Sequence, residues 1–301
     1  MSNTPVDFTP VDPAPVDFTA DRPVIRPLDV RWNHGSPSSK HNTDPDLQVF
    51  VHDEHTVILR QNMAVNYEAP FLYLLFGNER ALLLDTGATA EAAFMPLRAT
   101  VDALVADWLE RHPREDYRLL VLHTHSHGDH TAGDGQFADR PGTELVPALK
   151  ESAWPWYGFD ADPDAVVTVD LGGRVVEAIA TPGHHAAAVT HYDPWTGFLL
   201  TGDTVYPGRL YIEDWPAFVR SVDRMIEFAE QRAVTHVLGC HIEMSTQPGI
   251  DYPIFYTHQE HEAPLELKVA HLYELRGALA AIGDEPRRLA LPRFVLWPHG
   301  S

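Results

Sequence analysis

The stretch His123-Thr124-His125-Ser126-His127-Gly128-Asp129-His130 decides how this chain is read. It follows directly on residues 117–122, a short apolar run that reads as a buried strand. Within it His125, His127, Asp129 and His130 form an H-x-H-x-D-H pattern. A strand exit can turn alternate side chains toward different points. His125 and His127 can then hold one cation, while Asp129 and His130 hold a second nearby. Neutral imidazole and carboxylate suit Zn2+, Mn2+ or Fe2+. Two such cations at close range can clamp a shared water and bring its pKa near neutrality.

The composition agrees with a site of that kind. The chain has 301 residues, with 18 His and 1 Cys. A single thiol, Cys240, makes neither an internal disulfide nor a Cys-based zinc or iron–sulfur site. Lys plus Arg number 22 against 43 Asp plus Glu, a net charge of −21, which opposes nucleic-acid binding. No run approaches 18 continuous apolar residues, and the first residues have neither the basic nor the apolar region of a leader peptide. The expectation is a cytoplasmic protein with a small-molecule substrate, no nucleic-acid partner and no membrane partner.

Working outward, residues 1–46 read as a Pro-rich N-terminal arm. Pro5-Val6-Asp7-Phe8-Thr9 recurs as Pro15-Val16-Asp17-Phe18-Thr19, and closely spaced prolines favour an extended chain. Phe8, Phe18, Ile25 and Trp32 are expected to pack on the body or on a second subunit, which makes a homodimer through the arm an expectation. Residues 47–301 read as one domain with a C-terminal helical extension. Strands are expected at 47–51, 56–59, 71–76, 81–84, 117–122, 166–169, 174–179, 187–191, 198–201, 234–238 and 293–296. Helices are expected at 89–112, capped by Thr89, and at 214–231 and 264–281. Apolar strands need cover on both faces, which outer helices supply.

Further residues complete a recognisable set. Asp85 stands in Leu84-Asp85-Thr86-Gly87, His184 in Thr181-Pro182-Gly183-His184, Asp203 in Thr201-Gly202-Asp203-Thr204, and His241 in Gly239-Cys240-His241. Together with the central motif, these resemble the five signature elements of the metallo-β-lactamase superfamily, in the family's order. The resemblance spans Asp85 to His241. It implies an α+β four-layer αβ/βα sandwich, with two mixed β-sheets packed face to face and helices outside. By the same resemblance His125, His127 and His184 ligate one divalent ion, and Asp129, His130 and His241 a second. Asp203 bridges them. The ions are expected to be zinc foremost, with iron or manganese as other occupants. Asp85 lies behind the ligands and orients the His loop. A metal-bridging hydroxide is expected to attack the carbonyl of a small ester, thioester, lactone or amide, with Asp129 orienting the water.

Other residues are open to more than one reading. In the lactonase branch a Tyr three residues after the bridging Asp touches the substrate carbonyl, and Tyr206 has that spacing. His185 adjoins His184. His123 fits a strand end better than a ligand. His258 and His261 can line an entrance, while His34, His41, His52 and His55 have no partner legible in the sequence. The Gly-Cys-His-Ile-Glu segment resembles glyoxalase II-type endings, without an obvious basic cluster for a glutathione carboxylate. Asp203 speaks against a dedicated β-lactam hydrolase. The alternatives are a mononuclear iron persulfide dioxygenase of the same fold and a non-catalytic metal-binding scaffold.

Overall fold

Alternation of apolar side chains along the central strands builds the layers. The protein is seen here as a computed structural model, which describes residues 14–19, 23 and 25–300. The first half contains β1 (Leu47–Asp53), β2 (Thr56–Gln61), β3 (Phe71–Phe76) and β4 (Arg80–Leu84), then α1 (Leu97–Arg111), β5 (Arg118–Leu122), the short helix α2 (Gly128–Thr131), β6 (Thr143–Leu145) and α3 (Lys150–Tyr157). The second half contains β7 (Val167–Asp170), β8 (Val175–Ala180), β9 (Val189–Asp193), β10 (Phe198–Gly202) and β11 (Arg209–Ile212), then α4 (Trp215–Glu230), β12 (His236–Gly239) and β13 (Glu266–Leu267). It closes with α5 (Val269–Ile282), β14 (Leu289–Ala290) and β15 (Val295–Pro298).

The two halves share one plan. β1 to β4 form an antiparallel meander, and β5 then lies parallel to β4. β7 to β10 form a second meander, and β12 lies parallel to β10. In each half a helix, α1 or α4, makes the crossover. The sheets run β1-β2-β3-β4-β5-β6 and β13-β12-β10-β9-β8-β7. A small third sheet, β11-β15-β14, joins the end of the chain to the second half.

Phe71, Tyr73 and Leu75 of β3 face the second sheet, as do Leu82, Leu84, Leu120 and Leu122, and meet Val176, Ala178, Phe198, Leu200 and Leu238 there. Leu72, Leu74, Leu83 and Val121 face the other way, onto Val101, Val105 and Trp108 of α1. Across the molecule Leu199 and Val237 pack against Phe218, Val222 and Met225 of α4 and against Leu272, Leu275 and Leu279 of α5. The result is the four-layer αβ/βα sandwich with both sheets buried on two faces.

Some elements differ from the sequence expectation. α1 begins at Leu97, not at Thr89, because Pro96 stands as its N-cap and the Thr89 hydroxyl is held by Gln61 Nε2 at 2.7 Å. α3, β6, β11 and β14 carry too few periodic residues to be read in advance. α5 starts at Val269, since residues 266–267 pair with β12 as β13. Of the arm positions, Phe8 lies outside the described residues. Phe18 packs edge-on against His55 and Trp195, and Trp32 against Phe50 and Phe71. Ile25 is exposed.

Candidate metal centre

The site sits where equivalent strand ends of the two halves converge. Asp85 follows β4, the His123–His130 stretch follows β5, Asp203 follows β10 and His241 lies just beyond β12. His184 comes from the turn after β8. That turn is fixed by Gly183, whose φ of +140° and position against α4 leave no room for a side chain; a Cβ there would stand 2.4 Å from Phe218 Cα. The Gly183 carbonyl also accepts from the amides of Glu213 and Asp214, at 2.9 and 3.0 Å.

The expected ligands gather into two clusters. In the first, His125 Nε2 lies 2.9 Å from His127 Nδ1 and 3.3 Å from His184 Nε2, and the last two are 3.2 Å apart. A tetrahedral zinc ion with imidazole bonds of about 2.0–2.1 Å sets its nitrogens roughly 3.3 Å from each other, so this triangle is of the right size. In the second, His130 Nε2 lies 3.3 Å from Asp129 Oδ2 and His241 Nε2 lies 3.2 Å from the same oxygen. Asp203 reaches both clusters: Oδ2 is 3.4 Å from His130 Nε2 and 3.8 Å from His184 Nε2, and Oδ1 is 3.4 Å from His241 Nε2.

The outer contacts orient the rings. His130 Nδ1 meets Asp85 Oδ2 at 3.0 Å, His184 Nδ1 the Tyr211 carbonyl at 2.8 Å, and His241 Nδ1 the Glu68 carbonyl at 2.8 Å. His125 Nδ1 meets Thr124 Oγ1 at 3.2 Å, and that hydroxyl donates to Asp85 at 2.8 Å. In neutral imidazoles these bonds place the proton outward and turn the other nitrogen, with its lone pair, inward. His130 Nε2, His241 Nε2 and Asp203 Oδ1 are buried without any hydrogen bond. Inward lone pairs and orphaned buried acceptors are what a cation satisfies, so the residues present fit two metal ions.

The electrostatics point the same way. Burial lowers the pKa of His125 far below its ordinary value, and that of His184 too, so these two rings stay neutral. At His130 and His241 burial acts in that direction, but Asp203 and the neighbouring carboxylates outweigh it and raise both well above the usual range. The Asp129 and Asp203 carboxylates, opposed by burial, are held far below theirs by His130 and His241. The second cluster therefore demands positive charge, while His125 and His184 in the first offer neutral nitrogen donors.

Asp85 sits behind both clusters with φ +67° and accepts from Thr124 N–H at 2.7 Å. Cys240 leans on it at 3.4 Å, and burial pushes the thiol up to about 12, so it is inert. His123 bonds Asp134 at 2.8 Å and the Val146 carbonyl at 3.2 Å, a structural strand-end residue. His185 stays outside the triad, held by Ala187 N–H and Ser126. The structure turns the Tyr206 hydroxyl away from the clusters. That group is buried behind the His241 ring, bonded to the Arg209 carbonyl and 3.1 Å from Glu243. His258 lies beside His34, 5.6 Å between ring centres, and not among the clustered residues. Glu54, His55 and His112 also gather, but Trp108 Nε1 donates to His55 Nδ1, and Arg111 already neutralises Glu54 at 3.0 Å. Glu68, Thr124 and Tyr211 were not foreseen. Two of them act through backbone carbonyls, which leave no side-chain signature.

A cavity of about 180 Å³ opens beside the first cluster, lined by His127, His184, Tyr211, Glu213, Trp297 and His299 among others. No helix among the described residues is long and apolar enough to cross a membrane.

Comparison with known proteins places these observations. Residues 68–233, more than half of the chain, match the family described as the Metallo-beta-lactamase superfamily. Hydroxyacylglutathione hydrolase of Rhizobium meliloti (strain 1021) is 29% identical over 164 residues, covering 52% of this chain and 60% of that protein. Acyl-coenzyme A thioesterase MBLAC2 of Homo sapiens is 27% identical over 209 residues, covering 56% of this chain and 72% of that protein. The chain thus spans about three fifths of the first relative's length. Among solved structures, a metallo-beta-lactamase from Pontibacter korlensis superposes with a TM-score of 0.51 at 16% identity, over 78% of this chain and 99% of that one. That likeness is one of fold.

Proposed function

This chain belongs to the metallo-beta-lactamase superfamily, and from that premise we propose that it is a dinuclear metal-dependent hydrolase of small acyl thioesters or esters. His125, His127 and His184 would hold one ion and Asp129, His130 and His241 the other, with Asp203 available to both. The observation that carries the reading is the pair of adjoining clusters, each with inward ring nitrogens, joined by the one carboxylate that reaches both. Two divalent ions, most simply zinc, would supply a water acidic near neutral pH and a Lewis acid for the substrate carbonyl. The chain's own residues do the rest. Asp129 would orient the attacking water. Thr124 and Asp85 lock His125 and His130 in place. The cavity beside His127 and His184 receives the acyl portion. Oxygen bonds to the carbonyl carbon, the bond to sulfur or oxygen breaks, and the proton from the water leaves with that group. Relatives named as a hydrolase and a thioesterase support acyl transfer to water.

The test is a screen of metal-quantified protein against acyl thioesters, esters and lactones, beside Asp129→Ala. The expected result is turnover of thioesters or esters that falls about 100-fold or more in the variant. Undiminished turnover in Asp129→Ala would contradict the mechanism.

A further inference from the structure

After β12 the chain makes an excursion over residues 243–262 before returning as β13. Four large exposed apolar side chains fall within seven residues of it: Ile250, Ile254, Phe255 and Tyr256. The segment is anchored nevertheless. Arg209 donates to Asp251 Oδ2 at 3.0 Å and to the Tyr252 carbonyl at 2.6 Å, and Tyr252 N–H donates to the Glu243 carbonyl at 2.8 Å. Phe255, 69% exposed, has a φ of +66°, a left-handed conformation that an aromatic residue rarely adopts. Strain of this kind persists where the surroundings enforce it, and it marks functional positions.

The exposed ring is connected to the metal centre. Phe255 meets Tyr67 edge-on, 4.7 Å between ring centres. Tyr67 precedes Glu68, whose carbonyl holds His241. On its other side the loop is held by Arg209, whose Nε also donates to the Tyr211 hydroxyl at 3.1 Å. Tyr211 in turn lines the cavity beside His127 and His184. The loop therefore reaches the centre by two routes, through Phe255, Tyr67 and Glu68 to His241 and through Asp251, Arg209 and Tyr211 to the cavity.

We infer that the 250–256 loop is an apolar lip that binds the aliphatic chain of an acyl substrate whose carbonyl sits at the metal centre. This rests on the hydrolase reading above. Charge selects this occupant. Residues 243–262 include no Lys or Arg, and the neighbouring Arg209 and Arg60 are already engaged, Arg209 by Glu243 and Asp251 and Arg60 by Glu262, so the segment offers an anionic surface no cation of its own. An anionic lipid surface is not attracted by such a segment, whereas a neutral hydrocarbon chain is indifferent to the acids and gains from the exposed rings.

The experiment measures equilibrium binding of unreactive 2-alkanones with four to twelve carbons, by calorimetry, to the parent protein and to Ile254→Ser/Phe255→Ser. The inference expects affinity to rise at least tenfold from the shortest to the longest ketone in the parent, and that rise to be lost in the variant with the shortest ketone unaffected. No chain-length dependence in the parent, or the same dependence in both proteins, overturns it. So does a variant that keeps ketone binding but loses adhesion to neutral phosphatidylcholine vesicles, which would make the loop a membrane contact. Thermal unfolding of the variant checks that it is folded, and Phe255→Leu, which keeps the apolar surface, is expected to retain the dependence. Because no turnover is read, a parent that binds long ketones yet hydrolyses no ester or thioester leaves the lip standing and removes only the hydrolase reading.

Discussion

Four of the five ring nitrogens that face the centre, those of His125, His130, His184 and His241, are set by a contact on the far side of the ring. Asp85 is the hub of that outer layer, touching Thr124, His130 and Cys240 without facing either cluster. Asp85→Ala is therefore expected to weaken metal affinity by about 10–100-fold while leaving all seven ligand candidates in place. Competition against a chelator of known affinity reads this directly. Gly202 makes a second case. Its φ is +54°, and a Cβ there would stand 2.6 Å from Thr124 Cβ. Gly202→Ala is expected to displace Thr124, and with it His125, giving lower metal occupancy in a folded protein. Much of this was legible in the sequence. The clustered His and Asp types name the chemistry, and the Gly and Pro residues beside Asp85, His184 and Asp203 mark strand exits. The carbonyls of Glu68 and Tyr211 were not legible, because any residue carries a carbonyl and only the fold decides which one meets a ring.

At the scale of elements, the long apolar strands and α4 announce themselves by period, and the short or capping-poor pieces do not. Pro96 overrides the helical pattern that starts near Thr89, since a proline ring clashes with the preceding turn. β11 escapes notice at four residues, yet it supplies the carbonyl for His184 and pairs with β15 to build the cavity wall. α4 is held at its start by Asp214, whose Oδ1 accepts from Ala217 N–H at 2.9 Å. Asp214→Ala should cost about 1 kcal/mol, read as a shift in the urea midpoint. The buried Arg174–Asp193 pair ties β9 to the turn between β1 and β2, with bonds to the His55 carbonyl at 2.5 Å and to Thr56. Arg174→Met leaves Asp193 buried and uncompensated, and a loss of about 3–5 kcal/mol is expected in the same assay.

At the scale of the molecule, the two halves repeat one topology, and the candidate centre lies between matching strand ends. That placement explains why its residues are scattered from Asp85 to His241 and still converge. Stability should depend on pH through buried neutral histidines. Burial lowers His55 and His191 to about 4, and His191 is fully buried. Below pH 6.5 the unfolded chain takes up these protons while the folded protein does not until about pH 4. The unfolded state then binds more protons, and stability falls as pH drops from 6.5 to 4. His191 alone accounts for about 3 kcal/mol of that loss; His191→Gln should flatten the slope of urea midpoint against pH. The net charge of −21 also changes meaning, because part of the acidic excess, Asp129 and Asp203, faces the centre rather than solvent. The central claim is that this centre takes two ions per chain. Elemental analysis of the purified protein, after equilibration with zinc and removal of loosely bound metal, tests it most directly. The account predicts two equivalents in the parent. One equivalent, or a single iron accompanied by thiol-dependent oxygen uptake, would contradict it.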